Sequence, residues 1–419
     1  MASFQTGRMG ERMLSVEEAQ QRVMDEVRVN ESEPVALVDA LGRVLREDVI
    51  SRYDVPQADN TAMDGYAVRA ADIAGAKAGS PVALKVIEDL PAGSVATRIC
   101  EFGTAIRIMT GALIPEGADT VAHVEITDAG SDEVKIFNAL KVGTNIRRMA
   151  EDMRSGDVVL KSGSVIGAAE AGVLAGVQKS LVTVARRPTV AILSTGDELI
   201  EIDGTLTPGK VVNSNSYSLS ALVHETGAVP RVLGTVADDL DATVAAIESA
   251  LESDFIISSG GVSVGAYDFV KDALDRLGAE TMFWQVAMKP GKPVVLSRLG
   301  DRLYFGLPGN PVSCMVSFIL FIAPAIRKSM GQSEDLFPAT VMVRCEGTLS
   351  SRGDRRSYLR VRVSARDGAL VSTPMKSQGS GVSTSMVKAN GFAIVEAGVT
   401  TIEPGTKVPT VIFGPIHTG

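Results

Sequence analysis

Residues 254–268 read DFIISSGGVSVGAYD, and this stretch decides how the central part of the chain folds. The apolar run from Phe255 to Ile257 is typical of a buried strand, and glycines and hydroxyl side chains follow it at once. A loop of this composition covers little core. It either binds a small ligand or is a plain surface turn, and the stretch alone gives the two interpretations about equal weight.

The segments around this strand alternate between strand and helix patterns. Strand-like runs occur at TVAIL, RVLGTV, DFIIS, VVLSR and LYFGL. Helical patterns occur in SYSLSALVHETG, DLDATVAAIESALE and DFVKDALDRLG, and a further helix is expected from Pro311 to Ser329. Such alternation predicts βαβ units and therefore a largely parallel sheet covered by helices.

The remainder of the chain predicts further domains. The S-x-x-E spacing of Ser15 and Glu18 predicts a helix over about 16–28, and GAAEAGVLAG at 167–176 is also helical in character. Short β-type runs separated by turns lie between these helices and again near the end of the chain. We expect a multidomain α/β plus β fold, with a discontinuous helical N-terminal and linker domain (1–53 and 152–186), an inserted mostly β domain (54–151), a central α/β/α domain (187–336) and a small C-terminal β domain (337–419).

Composition narrows the classes of function. The chain has 419 residues, a net charge of −9, three cysteines and three histidines. The cysteines form no CxxC pattern and the histidines no paired spacing, so a metal would be bound by oxygen. The negative charge disfavours nucleic acid as a partner. No secretory signal and no apolar run of about 20 residues is visible, so we expect a cytoplasmic protein without a membrane partner.

Acidic residues follow three successive strands of the predicted sheet. Asp197 and Glu198 follow TVAIL, Asp238 and Asp239 follow RVLGTV, and Asp268 follows DFIIS. Loops at the carboxyl ends of parallel strands are the usual ligand site of such sheets, and clustered carboxylates there suit Mg²⁺. For any single acid, an N-cap of the following helix is an equally good interpretation.

Three loops could bind an anion. Gly260, Gly261 and Gly265 would let backbone amides approach a ligand closely, although neither a Walker sequence nor GxGxxG is present. MKPGKP at 288–293 places Lys289 and Lys292 in a basic turn. GLPGNPVS at 306–313 has Asn310 as a cap and Pro311 at the first helical position, which again exposes amides.

These motifs together resemble the molybdopterin molybdenumtransferase family (MoeA), to which the E domain of gephyrin is related. The motifs are DNTAMDGYAV, RIMTGALIPEGAD, NIRRMAEDM, STGDEL, ISSGGVSVGAYDFV, MKPGKP, GLPGNPVS and SQGS, and they stand in the family's order across nearly the whole chain. The resemblance implies insertion of molybdate into adenylylated molybdopterin, with Mg²⁺-dependent cleavage of the phosphoanhydride and release of AMP. It also implies a homodimer, with the molybdopterin adenylyltransferase and cofactor-accepting enzymes as further partners.

The resemblance assigns roles to individual positions. Catalysis would involve Asp59, Glu198, Asp238 and Asp268, of which Glu198, Asp238 and Asp268 would bind the metal. The substrate-binding residues would be Thr110, Asp152, Ser259, Gly260, Gly261, Ser263, Lys289, Lys292, Pro308, Pro311, Ser313, Arg355 and Ser380. Thr110 and Asp152 would lie on the nucleotide side, and Lys289, Lys292, Ser313, Arg355 and Ser380 on the molybdate side.

Three departures from the family's pattern affect single assignments. The family's Gly-Arg reads Asp354-Arg355 here, and Arg356 and Arg360 follow, so any of these three arginines could contact the anion. Ala150 stands where glycine is usual, and Thr61 replaces serine. A second hypothesis is a non-catalytic module that stores the cofactor or acts as a scaffold, because a fold alone does not fix a function.

Overall fold

The computed structural model describes residues 13–262 and 269–418. The chain divides into two compact units. The first comprises Met1–Glu47, Ser162–Ala171 and Leu181–Gly419, and the second comprises Asp48–Lys161 and Gly172–Ser180. The finer division into four domains stays a prediction.

The α-helices of the described residues, numbered in chain order, are α1 (Val16–Glu26), α2 (Ala168–Gly176), α3 (Ser214–Glu225), α4 (Leu240–Ala250), α5 (Val270–Arg276), α6 (Pro311–Ser317), α7 (Ala323–Ser329) and α8 (Thr384–Lys388). A π-helical segment, Phe318–Ile322, joins α6 to α7. The helices expected at 16–28, at 167–176 and in the α/β region are therefore confirmed.

The strands are numbered in the same way. The first unit begins with β1 (Ser32–Ala36). The second unit contains β2 (Val49–Ile50), β3 (Asn60–Thr61), β4 (Gly65–Val68), β5 (Val82–Leu90), β6 (Thr104–Ile108), β7 (Thr120–His123), β8 (Glu133–Ile136), β9 (Ile146–Arg147) and β10 (Val158–Leu160).

The first unit continues with β11 (Leu181–Ala185), β12 (Thr189–Thr195), β13 (Leu199–Ile200), β14 (Val211–Val212), β15 (Val229–Val236), β16 (Phe255–Ser259), β17 (Glu280–Gln285), β18 (Met288–Lys289), β19 (Pro293–Leu299) and β20 (Arg302–Leu307). Its last strands are β21 (Thr340–Cys345), β22 (Leu349–Ser350), β23 (Arg356–Arg366), β24 (Ala369–Pro374), β25 (Gly391–Val395), β26 (Thr401–Ile402), β27 (Lys407–Ile412) and β28 (His417–Thr418).

The second unit is mostly β, as the sequence predicts. Its main sheet has the order β7-β4-β6-β5-β8, and only the β5–β6 pairing is parallel. Tyr66, Ile73, Leu84 and Ile106 are buried in its core. The buried positions alternate along β8, which is the pattern of a strand with one face on a core.

The first unit is built on a six-stranded sheet of order β15-β12-β16-β20-β19-β17. β15, β12, β16 and β20 are parallel, whereas β19 and β17 are antiparallel to their neighbours. Every residue of β16 is buried, because parallel strands with helices on both faces lie wholly inside the protein. The prediction of a largely parallel sheet is confirmed, but the sequence analysis did not find β17.

The C-terminal strands of the first unit form a small closed barrel. β23, β24, β21, β27 and β25 pair in that order, and β25 pairs with β23 again. Closure leaves these strands without a free edge. The short strand β18 of the α/β part adds to β23 in parallel, so a backbone ladder joins the basic turn at Lys289 to the barrel.

Helix starts follow the capping residues in the sequence. Ser15 and Glu18 form the reciprocal capping box at α1, and the Asn213 side chain caps α3. α1 packs on the segment from Pro311 to Ser329 through apolar side chains, and Gln20 donates to the Leu320 carbonyl at 3.0 Å. That segment is long and apolar enough to cross a membrane, but 83% of its most apolar window is buried inside the protein, as in a core helix.

Asp254 joins the beginnings of two central strands. Its carboxylate accepts from Arg186 Nη2 at 2.7 Å, from Arg302 Nη1 at 3.3 Å and from the Thr189 amide at 2.8 Å, and its side chain is 11% exposed. Burial acts to raise the pKa of Asp254, but the hydrogen bonds from Arg186 and the Thr189 amide outweigh it and hold this pKa below its ordinary value.

We expect Asp254→Asn to lower the free energy of unfolding by about 2 kcal/mol at neutral pH, because it weakens charge-assisted hydrogen bonds. The folded pKa is depressed, so this contribution is fully present above about pH 4 and is lost only as the pH falls through the folded pKa. Urea unfolding can be followed by the fluorescence of Trp284, the single tryptophan, which lies in β17.

Glu252→Gln is the matched control, because Glu252 pairs with Arg231 at 2.9 Å with a side chain that is 75% exposed. An exposed pair contributes at most about 1 kcal/mol, so this variant should unfold nearly as the parent does. Equal unfolding of Asp254→Asn and the parent at pH 7 would contradict the assignment.

Candidate functional site

A cavity of about 740 Å³ lies in the first unit, beyond the carboxyl ends of β16 and β20. This volume is in the range of small-molecule sites, and the position is the one that open α/β sheets use for ligands. Its walls come from the ends of β16 and β20, the basic turn, the residues around β22 and β23, and the SQGS loop, and they include Gly261, Lys289, Gly291, Pro308, Asn310, Ser313, Arg352, Arg355, Gln378 and Ser380.

The cavity is lined by positive charge. Among the described residues that line it, Lys289, Arg352 and Arg355 are cations and none is an acid. Met288 and Lys289 pair with Arg356 and Ser357, the first two residues of β23. Because Arg355 directly precedes β23, this pairing brings Lys289 close to Arg355. Arg355 also donates from Nη2 to Asp354 at 3.0 Å, and this bond holds the pKa of the Asp354 carboxyl below its usual range.

The three candidate arginines occupy different environments. Arg355 lines the cavity, whereas Arg356 forms ion pairs with Glu17 and with Glu396. Arg360 is fully buried. Its Nη2 donates to the Ser377 and Gly379 carbonyls at 3.1 and 3.0 Å, so it braces the SQGS loop from behind the cavity wall. Burial lowers the pKa of Arg360, and its Nε and Nη1 have no partner in the described structure.

Hydroxyl groups and loop backbone complete the wall. Ser313 and Ser380 both line the cavity, and the Val312 amide donates to the Ser380 carbonyl at 3.0 Å. Asn310 is the N-cap residue of α6, as expected, but its side chain makes no capping bond and lines the cavity instead.

Four of the predicted substrate-binding residues that the structure describes in the first unit are not among the lining residues. Ser259 is buried beneath the wall, and Gly260, Lys292 and Pro311 stand beside lining residues in the chain without lining the cavity themselves. Ser263 lies outside the described residues. The Lys292 carbonyl accepts from the Val286 amide at 3.0 Å and so helps to shape the basic turn.

The glycines after β16 are needed for close approach. Gly260 has a φ of +96°, and a Cβ there would lie 2.6 Å from the Thr195 carbonyl oxygen. The Gly260 amide donates to the Leu307 carbonyl at 3.0 Å, which holds the ends of β16 and β20 together. A side chain at position 260 would therefore push the end of β16 away from the end of β12, where Thr195 lies.

The acidic loops converge in part. The Asp197 amide donates to Asp238 at 3.3 Å and the Asp238 amide to Asp197 at 3.1 Å, so the loops after β12 and β15 meet. Asp239 caps α4 through the Ala242 amide, which confirms the capping interpretation for this residue. Asp268 lies outside the described residues. Within residues 13–262 and 269–418, no group of three or more possible metal ligands is found.

The predicted residues of the second unit are bonded within it. Asp59 accepts from Arg148 Nη1 at 2.6 Å and from the Met149 amide at 2.8 Å, so it connects two of the sequence motifs. The hydrogen bond from the Met149 amide, with the Arg148 guanidinium, lowers the pKa of Asp59. Thr110 donates from Oγ1 to Asp64 at 2.6 Å, and Asp152 is exposed.

The sequence analysis missed two residues of the wall, Arg352 and Gln378, and one residue beneath it, Asn215. Arg352 lies in SSRGDRR, where a basic turn ahead of a strand was a usable signal. Gln378 stands inside the SQGS motif. Asn215, in VVNSNSYS, donates from Nδ2 to Ser259 Oγ at 2.7 Å and to the Gly309 carbonyl at 2.8 Å. A polar residue in the first turn of a helix usually caps that helix. The sequence around Asn215 therefore did not indicate that its side chain contacts the loop at Gly309.

A mostly parallel sheet with a cavity beyond its strand ends defines an α/β protein with a small-molecule site, and the lining cations of this site suit an anionic ligand. Three family models match the chain: the MoeA N-terminal region (domain I and II) at 14–177, a probable molybdopterin binding domain at 191–328, and the MoeA C-terminal region (domain IV) at 343–413. The chain belongs to the molybdopterin molybdenumtransferase family. A member from Bacillus subtilis is 37% identical over 96% of this chain and 94% of its own length.

Two further relatives agree with this assignment. A molybdopterin molybdenumtransferase from a Nostoc species is 40% identical over 90% of this chain and 88% of its own. The crystal structure of the molybdopterin biosynthesis MoeA protein from Pyrococcus horikoshii is 28% identical, with a TM-score of 0.81 over 96% of this chain and 100% of that one. The resemblance found in the motifs is thus confirmed.

We expect Gly260→Ala to lower the free energy of unfolding by about 1–3 kcal/mol, because the new Cβ meets a backbone oxygen and the residue keeps a positive φ. Gly309→Ala is the matched control, since a Cβ there has ordinary contact, 3.8 Å from Gly260 Cα. Urea unfolding of both variants provides the comparison. A Gly260→Ala variant as stable as Gly309→Ala would show that the strand ends tolerate a side chain.

Proposed function

We propose that this chain inserts molybdate into adenylylated molybdopterin, with Mg²⁺-dependent cleavage of the phosphoanhydride and release of AMP. The observation that supports this most is the cavity that has three lining cations and no lining acid among the described residues. Molybdate is a tetrahedral dianion, and guanidinium, ammonium and hydroxyl donors suit its oxygens. Family membership supports the remainder of the proposal.

In this proposal the cations and the hydroxyl groups that line the cavity bind the anion in different ways. Lys289, Arg352 and Arg355 bind the dianion by charge, and the hydroxyls of Ser313 and Ser380 bind its remaining oxygens. Neither Lys289 nor Arg352 forms a salt bridge within the described residues, and the Asp354 carboxylate, which also interacts with Lys289, is paired with Arg355. Binding would offset the mutual repulsion of these cations, which favours an anionic occupant.

The acidic residues belong to the nucleotide side of the proposal. Glu198, Asp238 and Asp268 offer only oxygen ligands, which is the donor type that Mg²⁺ prefers. When bound, Mg²⁺ would neutralise charge on the phosphate oxygens. We also propose that Asp59, Thr110 and Asp152 act on this side, that the enzyme is a cytoplasmic homodimer, and that it works with the molybdopterin adenylyltransferase and cofactor-accepting enzymes.

The purified chain should release AMP from adenylylated molybdopterin only when molybdate and a divalent cation are both present. The physical reason is that the leaving phosphate needs charge neutralisation and that the anion fills the cation-lined cavity. AMP release can be measured by chromatography with each component omitted in turn. Tight cofactor binding without turnover would instead favour a carrier or scaffold.

Arg355→Ala should raise the KM for molybdate about tenfold or more, because one charge-assisted bond contributes roughly 1.5–3 kcal/mol. Arg356→Ala is the matched control: it removes the same charge one residue away, but Arg356 is held by Glu17 and Glu396. We expect its KM for molybdate to stay within about twofold of the parent's, since it leaves the cavity lining unchanged. Equal effects of the two variants would contradict the assignment of Arg355.

A further inference from the structure

A buried chain of hydrogen bonds lies directly beneath the cavity wall at Pro308 and Gly309. The Nδ2 atom of Asn215 donates to Ser259 Oγ at 2.7 Å and to the Gly309 carbonyl at 2.8 Å. Ser259 Oγ is 3.4 Å from Cys314 Sγ, and that thiol donates to the Pro308 carbonyl. Asn215, Ser259 and Cys314 are 8%, 2% and 0% exposed, so water does not replace these bonds easily.

The donor and the acceptor of each bond in this hydrogen-bonded series follow from the two carbonyl groups at its ends. A carbonyl oxygen only accepts, so the Asn215 atom nearest Gly309 must be the nitrogen, and the Cys314 thiol must donate to Pro308. Ser259 Oγ then accepts from Asn215 and donates to Cys314 Sγ. Burial raises the pKa of the Cys314 thiol to about 12, so the thiol keeps its proton at neutral pH. Two consecutive carbonyls are thereby held in the core.

Holding these carbonyls fixes the direction of the amides that follow them. Only the Val55–Pro56 and Lys289–Pro290 bonds of the described residues are cis, so the peptides on both sides of Gly309 are trans. In a trans peptide, C=O and N–H point in opposite directions. The Gly309 and Asn310 amides therefore point away from the core, and both residues line the cavity. Neither amide donates a hydrogen bond to any described residue.

Asn215 contributes less to stability than its two donated bonds suggest. Its Oδ1 is buried and has no hydrogen-bond partner in the part of the chain that the structure describes. A buried polar atom without a partner costs about 1–3 kcal/mol, which offsets part of what the two bonds donated by Asn215 contribute to stability. What Asn215 provides in return is the two donated bonds that orient the loop.

We propose that Asn215 is a positioning residue: with Cys314 it holds the Pro308 and Gly309 carbonyls in the core and so presents the Gly309 and Asn310 amides to an anionic oxygen in the cavity. The inference rests on the proposed function for the identity of that anion, molybdate. Two parallel amide donors are the arrangement by which many sites bind an oxyanion, and their benefit depends on being oriented before the ligand arrives.

The test uses molybdate alone as the probe and the Gly309 amide as the reporter. The full chain is labelled with ¹⁵N-glycine, its 41 glycines are observed by NMR, and Gly309 is assigned by its loss in Gly309→Ala. In the parent, the Gly309 amide should shift on titration with molybdate. In Asn215→Ala, the same shift should need about tenfold more molybdate, which corresponds to the loss of one oriented charge-assisted donor.

Two comparisons separate positioning from a general loss of structure. Asn390→Ala is the matched control, because Asn390 is 5% exposed and also donates to two carbonyls, those of Val363 and Pro415, at 2.9 and 2.7 Å. It should be destabilised but bind molybdate like the parent. Cys314→Ser keeps a donor toward Pro308 and should bind more tightly than Cys314→Ala. If Asn215→Ala does not fold, the comparison of Cys314→Ser with Cys314→Ala tests the same proposal.

The outcomes for this inference and for the proposed function can be told apart. Unchanged molybdate affinity in Asn215→Ala, or equal affinities in Cys314→Ser and Cys314→Ala, would overturn the positioning role even if the parent releases AMP. Failure of the Gly309 amide to respond to molybdate in the parent would overturn it as well. If the parent releases no AMP but Asn215→Ala still weakens the titration of Gly309, the positioning role stands and the proposed reaction falls.

Discussion

A two-residue backbone ladder between β18 and β23 is the interaction on which the cavity depends. Met288 pairs with Arg356 and Lys289 with Ser357, so the basic turn is attached to the first residues of the barrel's longest strand. Because the residues before that strand include Arg352 and Arg355, the same ladder gathers three cations on one wall. Residues that are more than sixty positions apart in the chain thus share one site through backbone bonds that do not depend on side-chain identity.

Much of the α/β fold could be predicted because local signals and tertiary structure agree. The Ser15 and Glu18 spacing formed a capping box, and the apolar run from Phe255 to Ile257 is a buried parallel strand. β17 follows α5 where the alternation of strand and helix would place a strand, but it was missed because ETMFWQ contains no valine or isoleucine to mark it. The closed barrel could not be predicted either, since strand order within a barrel depends on pairings between distant segments that periodicity does not encode.

The site was predictable in its residue types but not in its connections. The lysine turn, the GLPGNPVS loop and Ser380 were all found from their chemistry, and the structure brings Lys289, Pro308, Ser313 and Ser380 to one cavity. The choice among three arginines needed coordinates, because adjacent positions in an extended segment face opposite sides and the sequence does not show which side borders the cavity. Arg356 forms ion pairs with Glu17 and Glu396, whereas Arg355 lines the cavity.

The buried Arg360 carries a charge that its hydrogen bonds offset only in part. A guanidinium with no exposed surface and no carboxylate partner is costly, and here its donors are met only in part by two carbonyls of the SQGS loop. An anion bound in the cavity would lower that cost, because Leu359, the neighbour of Arg360 in the chain, lines the cavity and charges in a low-dielectric interior are weakly screened. The loop that Arg360 braces also carries Ser380 and accepts the Val312 amide. A bound oxyanion would stabilise this arrangement of cations, and the loop that carries Ser380 is held in place by a residue that does not line the cavity.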